Sequence, residues 1–462
     1  MLFGPSSRRT IRGLGLGGVL LAGCNQVLGN SPPDTTGSGG TTSGSGGTSP
    51  GGTGGTASGG ATSGGATSSG GAGSGGLIGS GGAAVVECSP ACNGDQGCVG
   101  GTCLPILPEC MGQSVGTAVC SADATSSFVC GQGLAVKESE QPCGAYCSGS
   151  ACIDPPSCVG LERDCGPDKN AGCCTSPLVT GGVFARGNAP DFPATVGDFR
   201  FDEFEVTVGR FRQFVAAMVD GWYPTAGSGK HSHLRGGLGL LGTDGEGEPG
   251  WDVSWNVGDD TYGLYSGSGA ASEWTLALQC SSKGYHTWTP GADLNERLPI
   301  NCVNWYQAAA FCIWDGGFLS SEAEWEYAAA GGTAQRPYPW GSPEPDDAHA
   351  VHWCLGDGSV KDVCSFADIL PVGSRPDGNG VFGQSDLAGS MYEWNLDWLV
   401  SPYAIADCDN CTQTVPDSEY VARSNRGGSW LSMAEDLPNN IRNGPDPATL
   451  SEYYGIRCAR VP

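Results

Sequence analysis

Twenty-three cysteines in 462 residues limit the folds open to this chain more than any other feature. With Cys24 set aside, the rest form two even groups: fourteen between Cys88 and Cys174, and eight between Cys280 and Cys458. Even groups in an exported chain read as closed disulfide frameworks. Metal clusters are the competing reading, but no paired Cys-x-x-Cys ladder with zinc-site spacing occurs. Only Cys408-Asp409-Asn410-Cys411 has redox-motif spacing. It lies in a polar loop rather than at the start of an apolar helix, which suits a local structural bond better than a redox role.

The export signal is itself built around a cysteine. Arg8, Arg9 and Arg12 precede a short apolar run from Leu14 to Leu21, and Leu21-Ala22-Gly23-Cys24 closes it. That order of basic, apolar and small residues is a cleavable leader, and it resembles a bacterial lipobox. The resemblance implies lipidation of Cys24, which would become the first mature residue. The apolar run is far short of the ~20 residues that a membrane span needs. Asn25 rather than Asp follows the cysteine, so the expected place is the cell envelope, at the outer membrane or periplasmic face. A net charge of -26 argues against nucleic acid and against an anionic membrane surface as partners. The lipid, not the protein surface, is what should hold this chain to a bilayer.

Four segments emerge from composition. Residues 1–24 are the leader with its lipobox cysteine. Residues 25–87 are a Gly/Ser/Thr-rich disordered linker; the stretch from 31 to 84 would reach about 40 Å as a flexible coil. Residues 88–174 carry fourteen cysteines and few large apolar residues, so cross-links must hold them together. Residues 175–462 form one larger domain. Within it Thr207 to Asp220 predicts a helix, with Phe211, Phe214, Val215 and Met218 on one face and Gly221 as the stop. Trp305 to Asp315 predicts a second. Ser321 and Glu324 form a capping box that opens a third. The remainder, rich in Gly, Pro, Asn and Asp, predicts much irregular loop.

Several motifs lie in a recognisable order. They are Leu178-Val-Thr-Gly-Gly-Val-Phe-Ala-Arg-Gly187, Phe199-Arg-Phe-Asp-Glu-Phe-Glu-Val-Thr207, Leu298-Pro-Ile-Asn-Cys-Val-Asn-Trp305 running on to Cys312, and Phe318-Leu-Ser-Ser-Glu-Ala-Glu-Trp-Glu-Tyr327. Tyr338-Pro-Trp-Gly341, Asp386-Leu-Ala-Gly-Ser-Met-Tyr-Glu-Trp394, Asn425-Arg-Gly-Gly-Ser-Trp430 and Tyr454-Gly-Ile-Arg-Cys458 complete them. Together they resemble the sulfatase-modifying factor, or formylglycine-generating enzyme, family. The resemblance covers about 178 to 462. It implies an α+β fold with much irregular loop, related to C-type lectin folds, and a disulfide between Cys312 and Cys458. Cys354 with Cys364, and Cys280 with Cys302, are then left as local bridges.

The family's chemistry needs two cysteine thiolates after the Arg-Gly-Gly-Ser segment. They hold Cu(I), which activates oxygen to oxidise a substrate cysteine to formylglycine. Carried over, the two positions fall on Ser432 and Leu437. A hydroxyl is hard and stays protonated, Leu has no donor atom, and the lone thioether of Met433 is a weak site. Copper is therefore not expected. The family's calcium site carries over to Asp386 and Glu393 by side chain and to Gly389 and Met391 by carbonyl, with Ser390 in place of the usual Asn. Hard oxygens of this kind suit Ca²⁺. The family's other calcium positions fall on Val351 and Cys364, which offer no oxygen side chain.

Two histidine pairs, His231 with His233 and His349 with His352, are candidate metal ligands that equally read as solvated loop residues. Ser429 has no histidine near it in sequence, so a catalytic triad is not supported. Trp222, Tyr223, Trp251, Trp255, Trp274, Trp288 and Trp398 are an aromatic supply for a peptide or carbohydrate groove, or for core packing. Two functions remain. The first is a lipid-anchored binding or scaffold protein whose modifying-factor-like domain has lost its redox cysteines. The alternative is an active formylglycine-generating oxidoreductase, or a related protein-modifying enzyme.

Overall fold

The computed structural model describes residues 88–462 apart from 123, 257–263, 265–269, 360–362 and 419–420. The leader, Cys24 and the linker to residue 87 lie outside the described residues. Among those described, no helix is long and apolar enough to cross a membrane.

The cysteine-rich segment is a series of small antiparallel units. β1 (Gln96–Val99) and β2 (Thr102–Pro105) form a hairpin, clamped by Cys88–Cys98 and Cys92–Cys103. β3 (Ala118–Cys120), β4 (Ser126–Cys130) and β5 (Lys137–Pro142) form a three-stranded sheet. β6 (Tyr146–Ser148) and β7 (Ala151–Ile153) form a second hairpin. Cys110–Cys130, Cys120–Cys147 and Cys143–Cys152 tie these units together. The core of the sheet is little more than Phe128 against the Cys110–Cys130 bridge. Chain cross-linking therefore takes the place of apolar burial here.

The last two bridges of this segment, Cys158–Cys174 and Cys165–Cys173, belong structurally with the larger domain. Cys165 and Cys173 pack on Phe204 and Val372. β8 (Leu178–Val179), β9 (Gly182–Ala185), β10 (Pro193–Val196) and β11 (Phe199–Phe201) open that domain and lead into α1 (Val208–Val219). The Thr207 side chain caps α1 by accepting from Arg210 N–H, and Phe211, Phe214, Val215 and Met218 are all buried. β12 (Leu241–Gly242) and α2 (Ala271–Ala277) come next. α3 (Trp305–Trp314) starts at an Asn304/Gln307 capping box and leads to β13 (Phe318–Leu319). α4 (Glu322–Ala329) starts at Ser321/Glu324.

The remaining strands are β14 (Tyr392–Trp398), β15 (Cys408–Asp409), β16 (Cys411–Thr412), β17 (Arg423–Arg426), β18 (Tyr454–Gly455) and β19 (Cys458–Arg460). β19 sits inside a four-stranded sheet of order β13-β19-β11-β8, and β14 lies between β17 and β18. The fold is α+β, with short elements and long loops. Four further bridges join Cys280–Cys302, Cys312–Cys458, Cys354–Cys364 and Cys408–Cys411. The last of them closes the Cys-x-x-Cys at the β15–β16 corner.

One buried ion cluster joins the two parts. Arg210 Nη1 and Nη2 reach Asp202 and Asp315 at 3.0 and 2.7 Å. Arg460 reaches the same two carboxylates at 3.1 and 2.7 Å. Ser157 N–H donates to Asp315, while Arg210 donates to Ser157 Oγ and to the Cys173 carbonyl. Two guanidiniums face two carboxylates, so the cluster is neutral. Burial alone would raise Asp315, but Arg460 and Arg210 hold it below the ordinary carboxylate range.

Removing one partner strands a buried charge. Arg210→Met should lower stability by about 3–5 kcal/mol, measured by urea unfolding. Arg212→Met, which breaks a partly exposed pair with Glu296, should cost about 1 kcal/mol or less. Equal losses would contradict the role assigned to the cluster.

Candidate functional site

The site is built on the turn that leaves β17. Arg426 is fully buried and pairs with Glu322 at 2.9 Å and Glu326 at 2.8 Å, both on α4. That pins the strand end to the helix. Gly427 and Gly428 then take φ values of 98° and 79°, a region costly to any residue with a Cβ. A Cβ on Gly428 would lie 2.5 Å from Leu437 Cδ2 and 3.5 Å from Ser432 Cβ. The turn thus brings Ser429, Ser432 and Leu437 to one place.

The groups found there are not redox groups. Ser429 N–H donates to Ser432 Oγ at 3.0 Å, and the two hydroxyls are 3.3 Å apart. Ser432 Oγ also donates to Tyr392 Oη at 3.4 Å. Leu437 is completely buried, packed with Tyr338, Ala350 and Ala388. No described thiol remains to substitute: all twenty-two cysteines from Cys88 to Cys458 are disulfide-bonded. A hydroxyl and an isobutyl group do not fit Cu(I), which needs soft thiolates. Among the described residues no histidine is hydrogen-bonded to Ser429, so it has no base for nucleophilic chemistry either.

The expected calcium ligands lie behind this turn. Asp386 Oδ2 accepts from Gly373 N–H at 2.6 Å. Glu393 is engaged through both oxygens. Oε1 accepts from Arg457 Nε and Nη2 at 2.8 and 2.6 Å, and Oε2 accepts from Trp325 Nε1 at 2.7 Å. A third carboxylate, overlooked in the motif reading, belongs to the same cluster. Glu205 Oε1 accepts from Met391 N–H and Oε2 from Ser390 Oγ, at 2.9 and 2.7 Å. A Glu flanked by Phe204 and Val206 is the sequence signal that marks it. Three buried carboxylates face one guanidinium. Burial, then repulsion from Asp386 and Glu393, pushes Glu205 well up. Asp386 is pushed up to about 6, chiefly by burial. An excess of hard, buried, negative oxygen fits a divalent ion such as Ca²⁺. At the family's other calcium positions, Val351 is apolar and Cys364 is bonded to Cys354.

The histidine pairs do not converge on a metal. His231 is completely buried, with Nδ1 on Glu248 and Nε2 on Glu324, each at 3.0 Å. Burial would lower its pKa, but the two carboxylates outweigh that and push it up to about 10. His233 is lowered by burial, and its ring stacks on Phe318. His349 Nδ1 is 2.6 Å from Asp346, and His352 Nδ1 is 3.3 Å from the Ala350 carbonyl. Cys88, Cys92 and Cys103, and Asp164 with Cys165 and Cys173, bring potential ligand atoms within 4.8 Å. Their cysteines are all disulfide-bonded and offer no thiolate. Of the aromatic supply, Trp251, Trp274 and Trp288 are core residues, and Trp251, Trp255 and Trp398 line a cavity.

The domain described as sulfatase-modifying factor enzyme 1-like matches residues 163–462. The chain belongs to this family. Among curated relatives, serine/threonine-protein kinase Pkn1 of Chlamydia trachomatis serovar L2 is 33% identical over 162 residues, 35% of this chain and 24% of the kinase. Inactive C-alpha-formylglycine-generating enzyme 2 of Bos taurus is 33% identical over 178 residues, 37% of this chain and 53% of the relative. This sulfatase-modifying-factor-like chain thus spans a quarter to about half of their lengths. Formylglycine-generating enzyme of Streptomyces coelicolor is 32% identical over 294 residues, 60% of this chain and 83% of the relative. Among solved structures, PvdO from Pseudomonas aeruginosa aligns with TM-score 0.40 and 21% identity, covering 62% of this chain and 94% of that one.

The His231 clamp makes a pH prediction. Its folded pKa of about 10 lies above the ordinary 6.5. Its stabilisation is therefore complete below about 6.5 and is lost as pH rises through 10. The melting temperature of His231→Gln should fall furthest below that of the parent near pH 6, with the gap narrowing by pH 10. A gap that widens with pH would contradict the clamp.

Proposed function

We propose that this chain is an exported protein, lipid-anchored through Cys24, whose modifying-factor domain has given up its oxidase chemistry and serves as a binding or scaffold module in the cell envelope. One observation carries the reading: every described cysteine is in a disulfide, and Ser432 and Leu437, the positions onto which the resemblance carries the two copper thiolates, hold a hydroxyl and an alkyl side chain. The family scaffold persists around that loss. Arg426 still anchors the turn and the Gly-Gly corner still forms, but among the described residues no thiolate is left to bind Cu(I), and Met433 offers only a lone thioether. The likeness to a relative named as an inactive formylglycine-generating enzyme supports this direction. The protein, unreduced, should fail to take Cu(I) from a competing chelator. Ser432→Cys/Leu437→Cys should gain one-to-one binding. Tight binding by the parent would overturn the reading.

Calcium is part of the same proposal, as a structural ion. Glu205 and Asp386 would hold it by side chain, and Gly389 and Met391 by carbonyl, with Glu393 fixed alongside by Arg457. When bound, the ion would balance buried negative charge and lock the segment from 386 to 393. At free calcium one hundred times Kd the gain in stability is about 2.7 kcal/mol. Calcium should raise the melting temperature of the parent, and Glu205→Gln should abolish that rise while losing nothing in chelator. Identical parent melting in calcium and in chelator would remove the ion from the account.

A further inference from the structure

A cavity of about 290 Å³ lies away from the Ser429 turn and shares none of its residues. Its walls include Trp251, Trp255, Trp305 and Trp398, together with Arg423 and Thr412. That volume is near the lower end for small-molecule pockets, and a mostly apolar lining that includes four tryptophans and a few polar groups is also typical.

Two polar groups in the wall lack partners. Thr412 is 1% exposed, and its hydroxyl has no hydrogen-bond partner. Arg423 is 6% exposed, and its Nε has none. The guanidinium is sandwiched between Trp305 and Trp398, 3.8 and 3.6 Å from the ring centroids. Its Nη1 donates to the Leu396 carbonyl. Among the described residues no carboxylate pairs with it. Arg210, Arg426, Arg457 and Arg460 are buried against carboxylates, whereas Arg186 and Arg200, buried without one, do not line this cavity. Burial pulls Arg423 down to about 9, although Tyr306 and Asp397 act in the opposite direction without forming an ion pair with it. The cavity's own acid, Glu248, is already taken by His231. A buried, unpaired cation in a tryptophan-lined cavity is costly unless something anionic completes it.

We propose that this cavity binds a small organic acid, its apolar body among the four indoles and its carboxylate on Arg423, with Thr412 as a second polar contact. Neutral sugars would use the rings but leave the guanidinium unpaired, and cations would be repelled by it. The site stands independently of whether the Ser432/Leu437 position is inactive.

The test titrates the full mature chain with three probes of one shape: 3-phenylpropionate, 3-phenylpropan-1-ol and 3-phenylpropylamine. Tryptophan fluorescence and ligand-observed NMR report binding. The acid should bind saturably, at least tenfold tighter than the alcohol, and the amine should not bind. Arg423→Met should weaken the acid tenfold or more, and Thr412→Val less. Should Arg423→Met fail to fold, Ala309→Leu narrows the cavity from α3 with Arg423 in place, and it should abolish binding. Equal binding of acid and alcohol, no saturable binding of the acid, or a folded Ala309→Leu that binds as the parent does would each overturn the proposal.

Discussion

The neutral cluster of Arg210, Arg460, Asp202 and Asp315 is the constraint on which the rest of the molecule depends. It gathers the end of β11, the first turn of α1, the end of α3 and the last strand, β19. It also takes in Ser157 and the Cys173 carbonyl from the cysteine-rich segment. Removing two charge pairs from water is expensive, and mutual attraction compensates only when every donor and acceptor is met. Here they are met from five distant stretches of chain, so the cluster forms only in the completed fold. It fixes β19, whose entry carries Arg457 and Cys458. Arg457 in turn orients Glu393, and Cys458 is bonded to α3 through Cys312.

That arrangement explains how the proposed loss of oxidase chemistry leaves the fold in place. The turn after β17 is positioned by the Arg426 pairs with α4 and by two glycines at positive φ. None of these groups supplies a copper ligand. On the proposed reading, a hydroxyl and an alkyl group at 432 and 437 leave the positioning forces intact. Leu437 completes an apolar cluster with Tyr338, Ala350 and Ala388, and Ser432 closes a local hydrogen bond to Ser429. Both side chains suit packing, and neither is a thiol.

Much of this was legible in the sequence where the determining forces are local. Caps and breakers predicted the three main helices to within a residue or two at most ends, because Thr207 and Ser321 act on amides three residues away, as Asn304, a cap only the structure shows, also does. The even split of cysteines matches a structure in which no bridge crosses between the groups. What could not be read was long-range. Glu205 reaches the 386–393 segment across more than 180 residues. His231 finds Glu324 on α4, so one of two loop histidines that read as metal ligands or as solvated residues is an ion clamp in the core. The tryptophans divide between core and cavity wall by tertiary placement, which no spacing along the chain reveals.

The central claim is that this domain keeps no free thiol pair at the turn after β17. The most direct measurement is to denature the mature protein without reductant, alkylate it, and count modified cysteines peptide by peptide. The account expects no labelled cysteine between Cys88 and Cys458, and eleven bridges recovered as linked peptides. Two labelled cysteines in any stoichiometric pair would contradict it and return an oxidase to consideration.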